Sequence, residues 1–220
     1  YKIVFFLLVF LLASCGIYEA CVKGNGNQIT QTFTLENFSK IKVYDGVGLV
    51  VKEGPNYEVK IKTSDNIIDD LEVRLDGDML VVKDNSTCNI ARDYGQTTVY
   101  VTIPDGTISP LIPELELHCK TEQKIQSDGV LHSPIVRLFS IGDDGDGAGT
   151  GDFYIAVDNL QFVVENNNVS NFYITGHSNE MLLNFYFGNG RFYGEQLHAE
   201  RIKVYQRGSN DMFVYPIQKI

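Results

Sequence analysis

The sequence predicts an all-β chain that winds as a parallel β-helix, a solenoid preceded by a less regular N-terminal β section. Three observations lead there. Apolar and polar residues alternate in short runs, and Gly, Asn, Asp or Pro separate those runs. The second half of the chain then repeats itself at a period near 20 residues. No segment of ten residues carries helical apolar spacing, apart from a weak one around Asn66 to Leu71.

The chain opens on an apolar run from Ile3 to Leu11, too short for a membrane-spanning helix and of the length of a signal-peptide core. Leu12-Ala13-Ser14-Cys15-Gly16 follows, and it resembles a bacterial lipobox. On that resemblance residues 1–14 are a lipoprotein signal peptide, Cys15 is the lipidated residue, and 15–27 form a lipidated tether in which Gly24-Asn25-Gly26-Asn27 offer little to bury. Each buried CH₂ of an acyl chain contributes about 0.8 kcal/mol, so several chains would hold the protein at a membrane. The expected place is the bacterial cell envelope. Gly16 stands where an Asp marks inner-membrane retention in some bacteria, which favours the outer membrane.

Residues 28–220 form the β-solenoid domain, with 28–105 as its irregular section and 106–220 as its regular coils. In the first part Ile41 and Val43, Leu49 and Val51, Val59 and Ile61, then Leu71, Val73 and Leu75 alternate, followed by Met79 to Val82 and Val99, Val101 and Ile103. Glu53-Gly54-Pro55-Asn56 and Asp76-Gly77-Asp78 read as hairpin-like turns.

The second part aligns with itself. Asp152-Phe153-Tyr154-Ile155, Asn171-Phe172-Tyr173-Ile174, Arg191-Phe192-Tyr193-Gly194 and Asp211-Met212-Phe213-Val214 recur at steps of 19, 20 and 20 residues. Between them recur Leu160-Gln161-Phe162, Leu183-Asn184-Phe185 and Ile202-Lys203-Val204, at steps of 23 and 19. One coil adds about 4.8 Å, the inter-strand distance. Stacking then places Leu160, Leu183 and Ile202 in one internal column and Phe162, Phe185 and Val204 in the next, with Gln161, Asn184 and Lys203 facing water. Asn166-Asn167-Asn168, Gly188-Asn189-Gly190 and Gly208-Ser209-Asn210 suit the corners, where left-handed backbone angles are needed. A sandwich or meander also uses short strands, but it does not naturally repeat the same residue types every 20 positions.

Several of these stretches, taken in order, resemble one family. They are Phe38-Ser39-Lys40-Ile41-Lys42-Val43, Gly48-Leu49-Val50-Val51-Lys52-Glu53-Gly54, Leu80-Val81-Val82, Val99-Tyr100-Val101-Thr102-Ile103-Pro104, Gly149-Thr150-Gly151-Asp152 and Gly208 to Pro216. The chain is similar over residues 30–216 to the head GIN domain family of auto-transporter adhesins, envelope proteins common in Bacteroidetes. The resemblance implies a right-handed β-helix and a secreted or lipid-anchored location. The chain departs from the family pattern around 106–135, where Pro104, Pro110, Pro113 and Pro134 interrupt what is more often a small-residue, Gly-Ser-rich coil.

Composition narrows the function. The net charge is −10 and no basic stripe exists, which excludes a phosphate-tracking nucleic-acid site. With Cys15 lipidated, Cys21, Cys88 and Cys119 remain, three single bridges are open, and Cys88–Cys119 is the favoured candidate. Asp143, Asp144, Asp146 and Asp152 lie in a glycine-rich segment and are a weak Ca²⁺ candidate, because their spacing completes neither an EF-hand nor a nonapeptide array. The four His residues show no metal-binding spacing, and no cofactor or catalytic motif occurs. Asp158, Glu165, Glu180, Glu200 and Arg201 are available for polysaccharide chemistry, in no pattern distinct from surface decoration. By alternation Phe153, Phe172, Phe192 and Met212 point inward, so Tyr154, Tyr173, Tyr193 and Phe213 point outward as a ladder, with Tyr186 and Tyr205 as a second strip. Such a ladder suits a glycan or protein ligand, and it also suits self-stacking. The expected function is an adhesin-like or ligand-binding envelope protein. A polysaccharide lyase or hydrolase and a structural spacer are the competing readings.

Overall fold

The structure is a computed structural model, and it describes residues 24–86, 95–105, 113–142 and 147–217. The chain forms β1 (Gln28–Phe33), β2 (Lys40–Tyr44), β3 (Val47–Gly54), β4 (Glu58–Ser64), β5 (Leu71–Asp76), β6 (Met79–Asp84) and β7 (Thr97–Pro104). It continues through β8 (Glu114–Lys120), β9 (Ile125–Leu131), β10 (Ile135–Ser140), β11 (Phe153–Asn166), β12 (Phe172–Phe185), β13 (Phe192–Gln206) and β14 (Met212–Pro216). The weak helical spacing near Asn66 becomes a single 3₁₀ turn, Ile68–Asp70. Among the described residues no helix is long and apolar enough to cross a membrane.

All 14 strands join one sheet. It curls into an open half-barrel, which is not clearly the parallel β-helix expected from the repeat. Part of the reason lies at the N-terminal end. β4 runs antiparallel to both β1 and β7, and β5 and β6 form an antiparallel hairpin through the Gly77 turn. Antiparallel neighbours need only short links, whereas parallel ones need a crossover. The Glu53–Asn56 turn does not close a hairpin, because β7 lies between β3 and β4.

The rest of the sheet is parallel. β3, β9 and the first halves of β11, β12 and β13 lie side by side, with β14 last. β2, β8, β10 and the second halves of β11, β12 and β13 form a parallel succession of their own. Inward Phe153, Phe172 and Phe192 are fully buried, and the rings of Phe153 and Phe172 stack at 4.8 Å. Phe162, Val164, Met181 and Leu183 from the second succession complete the core beside them.

Both expected internal stacks are wrong, and Val204 of the second is 50% exposed. Leu160 is 61% exposed and shares no column with Leu183 or Ile202. The register instead aligns Phe162 with Met181 and Ile202, then Val164 with Leu183 and Val204. Inward residues of β11 are odd-numbered through Asn159 and even-numbered from Phe162, so the alternation changes parity where the strand bends. Leu160 falls on the bend and turns outward. Phe185 lines up with Asn166 and Gln206, not with Phe162 and Val204.

Prolines bound the strands more than they interrupt them. Pro113 and Pro134 immediately precede β8 and β10, and Pro104 ends β7, where a missing N–H costs the ladder least. Of the three expected left-handed corners, only the second contains a left-handed residue, Gly188 at φ 89°. At the first corner Asn166 Oδ1 accepts from the Asn168 N–H at 3.2 Å and its Nδ2 donates to the Asn168 carbonyl at 3.3 Å, so a side chain makes the turn.

Candidate functional site

The outward face of the first succession carries the aromatic ladder. In-register pairing sets Tyr154 beside Tyr173, Tyr173 beside Tyr193 and Tyr193 beside Phe213. Ring centroids lie 4.7, 4.7 and 5.6 Å apart, and interplanar angles are 7°, 1° and 14°. Inter-strand spacing sets those distances, so the rings lie flat against one another. Stacking takes both faces of Tyr173 and Tyr193 and one face each of Tyr154 and Phe213. What reaches solvent is a row of ring edges and, on the tyrosines, hydroxyls. The open face at one end is covered by Lys124, whose Nζ sits 5.2 Å from the Tyr154 centroid.

The same row continues across the sheet. Tyr154 pairs with Gln126, Gln126 with Val50, and Val50 with Tyr100, which is also exposed. Tyr100 in turn pairs with Lys60 and Lys60 with Thr32. Polar residues flank the ladder. Asp152 Oδ1 accepts from the Asn171 backbone and side-chain amides at 2.9 and 3.1 Å, and Asn171 Oδ1 accepts from the Arg191 N–H at 3.2 Å. The Arg191 guanidinium hydrogen-bonds the Tyr193 side chain, which raises the arginine pKa. Loss of water around Tyr173, followed by the nearby Asp152 carboxylate, raises its pKa and keeps the hydroxyl a donor. On the far side a parallel row sets Asp158, His177, His198 and Tyr215 in register.

Other sequence candidates are placed differently. Cys15 lies outside the described residues, as do Cys88 and Asp143, Asp144 and Asp146. Cys119 is a buried free thiol; burial pushes its pKa up to about 11, and it donates to the Thr121 carbonyl at 3.3 Å. Asp152 is spent on the Asn171 corner. Nearby, Lys120 Nζ donates to the carbonyls of Ile141 and Gly147 at 2.8 and 2.9 Å and so joins these two described positions. Lys120→Met is expected to cost about 1–3 kcal/mol by leaving those carbonyls without this donor. Urea denaturation checks it, and unchanged stability would show that the ammonium contributes nothing through the Ile141 and Gly147 carbonyls.

Three of the four acids considered for catalysis are engaged laterally, and Glu200 lies on β13 beside Arg201. Glu165 accepts from Arg137, Asn184 and the Tyr186 hydroxyl, Glu180 from Gln161 and Lys203, and Asp158 lies 3.4 Å from His177. Tyr186 and Tyr205 are tilted at 52° and make no flat strip. His118 stacks on Phe139 at 4.2 Å; burial lowers its pKa against the opposing pull of Glu116. Sequence reasoning missed a cluster of Glu53, Asp105 and His132, whose ligand-type atoms all lie within 4.8 Å of one another. These residues are 79 positions apart at their extremes, and only the sheet order joins them.

The comparisons agree with the curled all-β architecture. The family described as "Putative auto-transporter adhesin, head GIN domain" matches residues 37–220. The chain belongs to this family. Among solved structures the head GIN domain is similar to a putative adhesin from Bacteroides fragilis NCTC 9343, with 14% identity, TM-score 0.66, and 84% of this chain and 79% of that one covered. It is also similar to a "Putative lipid binding protein" from Parabacteroides distasonis ATCC 8503, with 11% identity, TM-score 0.51, and coverages of 81% and 78%. A putative adhesin from Parabacteroides merdae ATCC 43184 gives 12% identity, TM-score 0.51, and coverages of 82% and 78%. At these identities the likeness concerns the fold. No protein of curated function matches the sequence. The family is one of adhesin-like proteins, in keeping with a place at the envelope or surface.

Proposed function

We propose that this head GIN domain is a lipid-anchored protein of the outer membrane that presents an adhesin-like binding surface, and that the surface is the face carrying Tyr154, Tyr173, Tyr193 and Phe213. The observation that carries the reading is the self-stacked ladder on the solvent side. A core has no need of four aromatic side chains placed outside it, and a flat comb of edges and hydroxyls on a rigid sheet fits an extended ligand lying across the strands. Because both faces of the central rings are occupied, the ligand is held along the ladder through hydroxyls and edges rather than by stacking on Tyr173 or Tyr193. A glycan chain, rich in donors and acceptors, suits that chemistry. The lipid at Cys15 supplies the membrane contact, and an acidic protein without a basic stripe has no electrostatic substitute for it. The parallel half is read as coils of a right-handed β-helix, supported by its recurring in-register strands.

A glycan array probed with the full chain, followed by titration of the best binder, tests the function. Tyr173→Phe with Tyr193→Phe keeps the stack and removes two hydroxyls. Binding is expected to weaken about tenfold or more, the loss of one to two hydrogen bonds, with thermal stability retained. Affinity equal to wild type in that double variant would remove the ladder from the site.

A further inference from the structure

We propose that Glu53, Asp105 and His132 bind one divalent transition-metal ion of the zinc class. The proposal is independent of the tyrosine ladder. Topology brings the three together: β3 lies between β7 and β9, so the end of β3 (Glu53), the residue after β7 (Asp105) and the residue after β9 (His132) meet at one end of three adjacent strands. Their ligand-type atoms all fall within 4.8 Å of one another.

Glu53 is set in place before any ion arrives. Its side chain is only 5% exposed. Its Oε1 accepts from the backbone N–H groups of His132 and Ser133 at 2.8 and 2.9 Å and from the Ser133 hydroxyl at 3.3 Å. Those bonds fix the carboxylate and leave Oε2 facing His132 Nδ1 at 2.8 Å. A metal ion takes the place of the hydrogen bond on that N···O line. Two ligands at about 2.0–2.1 Å in tetrahedral geometry stand about 3.3 Å apart, so the pair opens by roughly half an ångström.

The donor set selects the ion. One imidazole with two carboxylates suits Zn²⁺ and its first-row neighbours, whereas Ca²⁺ and Mg²⁺ take oxygen ligands throughout. The His132 side chain is 33% exposed, which gives an ion an approach from solvent; a groove of about 570 Å³ reaches the cluster only at Glu53.

Isothermal titration of the metal-stripped full chain with Zn²⁺ tests the site, alongside ¹⁵N shifts of the histidine rings. The expected result is one saturable equivalent, with the His132 Nδ1 resonance moving, and with Ca²⁺ failing to compete at equal concentration. His132→Ala should abolish that equivalent, and Asp105→Asn should weaken it at least about tenfold. His177→Ala with His198→Ala, which removes two neighbouring surface imidazoles, should leave it intact. No saturable Zn²⁺ binding, an unchanged equivalent in His132→Ala, or its loss only in the His177/His198 variant would overturn the proposal. Should His132→Ala lose its native circular dichroism, Asp105→Asn decides, and wild-type affinity there overturns the site.

Discussion

Phe172→Ala is expected to lower the free energy of unfolding by about 3–5 kcal/mol, the range for removing a fully buried aromatic ring. Phe172 has no exposure, stacks on Phe153 at 4.8 Å, meets Phe185 edge-on at 5.6 Å, and pairs in register with Phe192. A cavity there removes contacts from two neighbouring strands and from the opposing succession at once. The strands above and below are held by backbone ladders and cannot easily close in. Guanidinium denaturation of the full chain reads the effect, and a loss below about 1 kcal/mol would mean that the column collapses into the space. An outward partner one residue along, Tyr173, is bounded by solvent and should respond far less.

Gly176→Ala should be comparably damaging, for a backbone reason. Gly176 lies inside β12 at φ 110°, and a Cβ there would strike the Val157 carbonyl oxygen of β11. The sparsely populated angle alone costs about 1–3 kcal/mol in a residue with a side chain. The clash adds to it by forcing β12 away from its parallel neighbour at the bend between its two halves. Gly77→Ala separates the two effects: Gly77 has φ 61°, and a Cβ added there meets nothing within 4 Å. We expect Gly176→Ala to exceed Gly77→Ala by at least about 2 kcal/mol, within the upper range for strained glycine sites. Equal losses in parallel urea melts would show that the bend yields.

The ladder was legible in the sequence because Phe-Tyr pairs recur at nearly constant steps and strand alternation has no freedom to hide them. Phe153, Phe172 and Phe192 inward and Tyr154, Tyr173 and Tyr193 outward follow from that alone. The second succession is not legible in the same way, because similarity of letters, Leu-x-Phe with Leu-x-Phe, does not follow the register. Hydrogen bonding instead holds a constant offset of 19 through all of β11 and β12, while β13 gains a residue after Tyr193. A parity change inside one continuous strand has no signature in composition, and Leu160 looks like a core residue until the bend is known. Self-stacking of the rings is also a matter of side-chain orientation, which alternation does not fix. The Glu53–Asp105–His132 cluster was illegible for a different reason. It depends on β7 and β9 flanking β3, an order that local patterning cannot supply.

The chain contains twelve tyrosines and no tryptophan. Three of those phenols are locked nearly parallel at 4.7 Å spacing, close enough for their electronic transitions to couple. With no indole to mask it, the protein therefore carries a built-in chromophore array, whose near-ultraviolet dichroism reports directly whether successive turns remain in alignment.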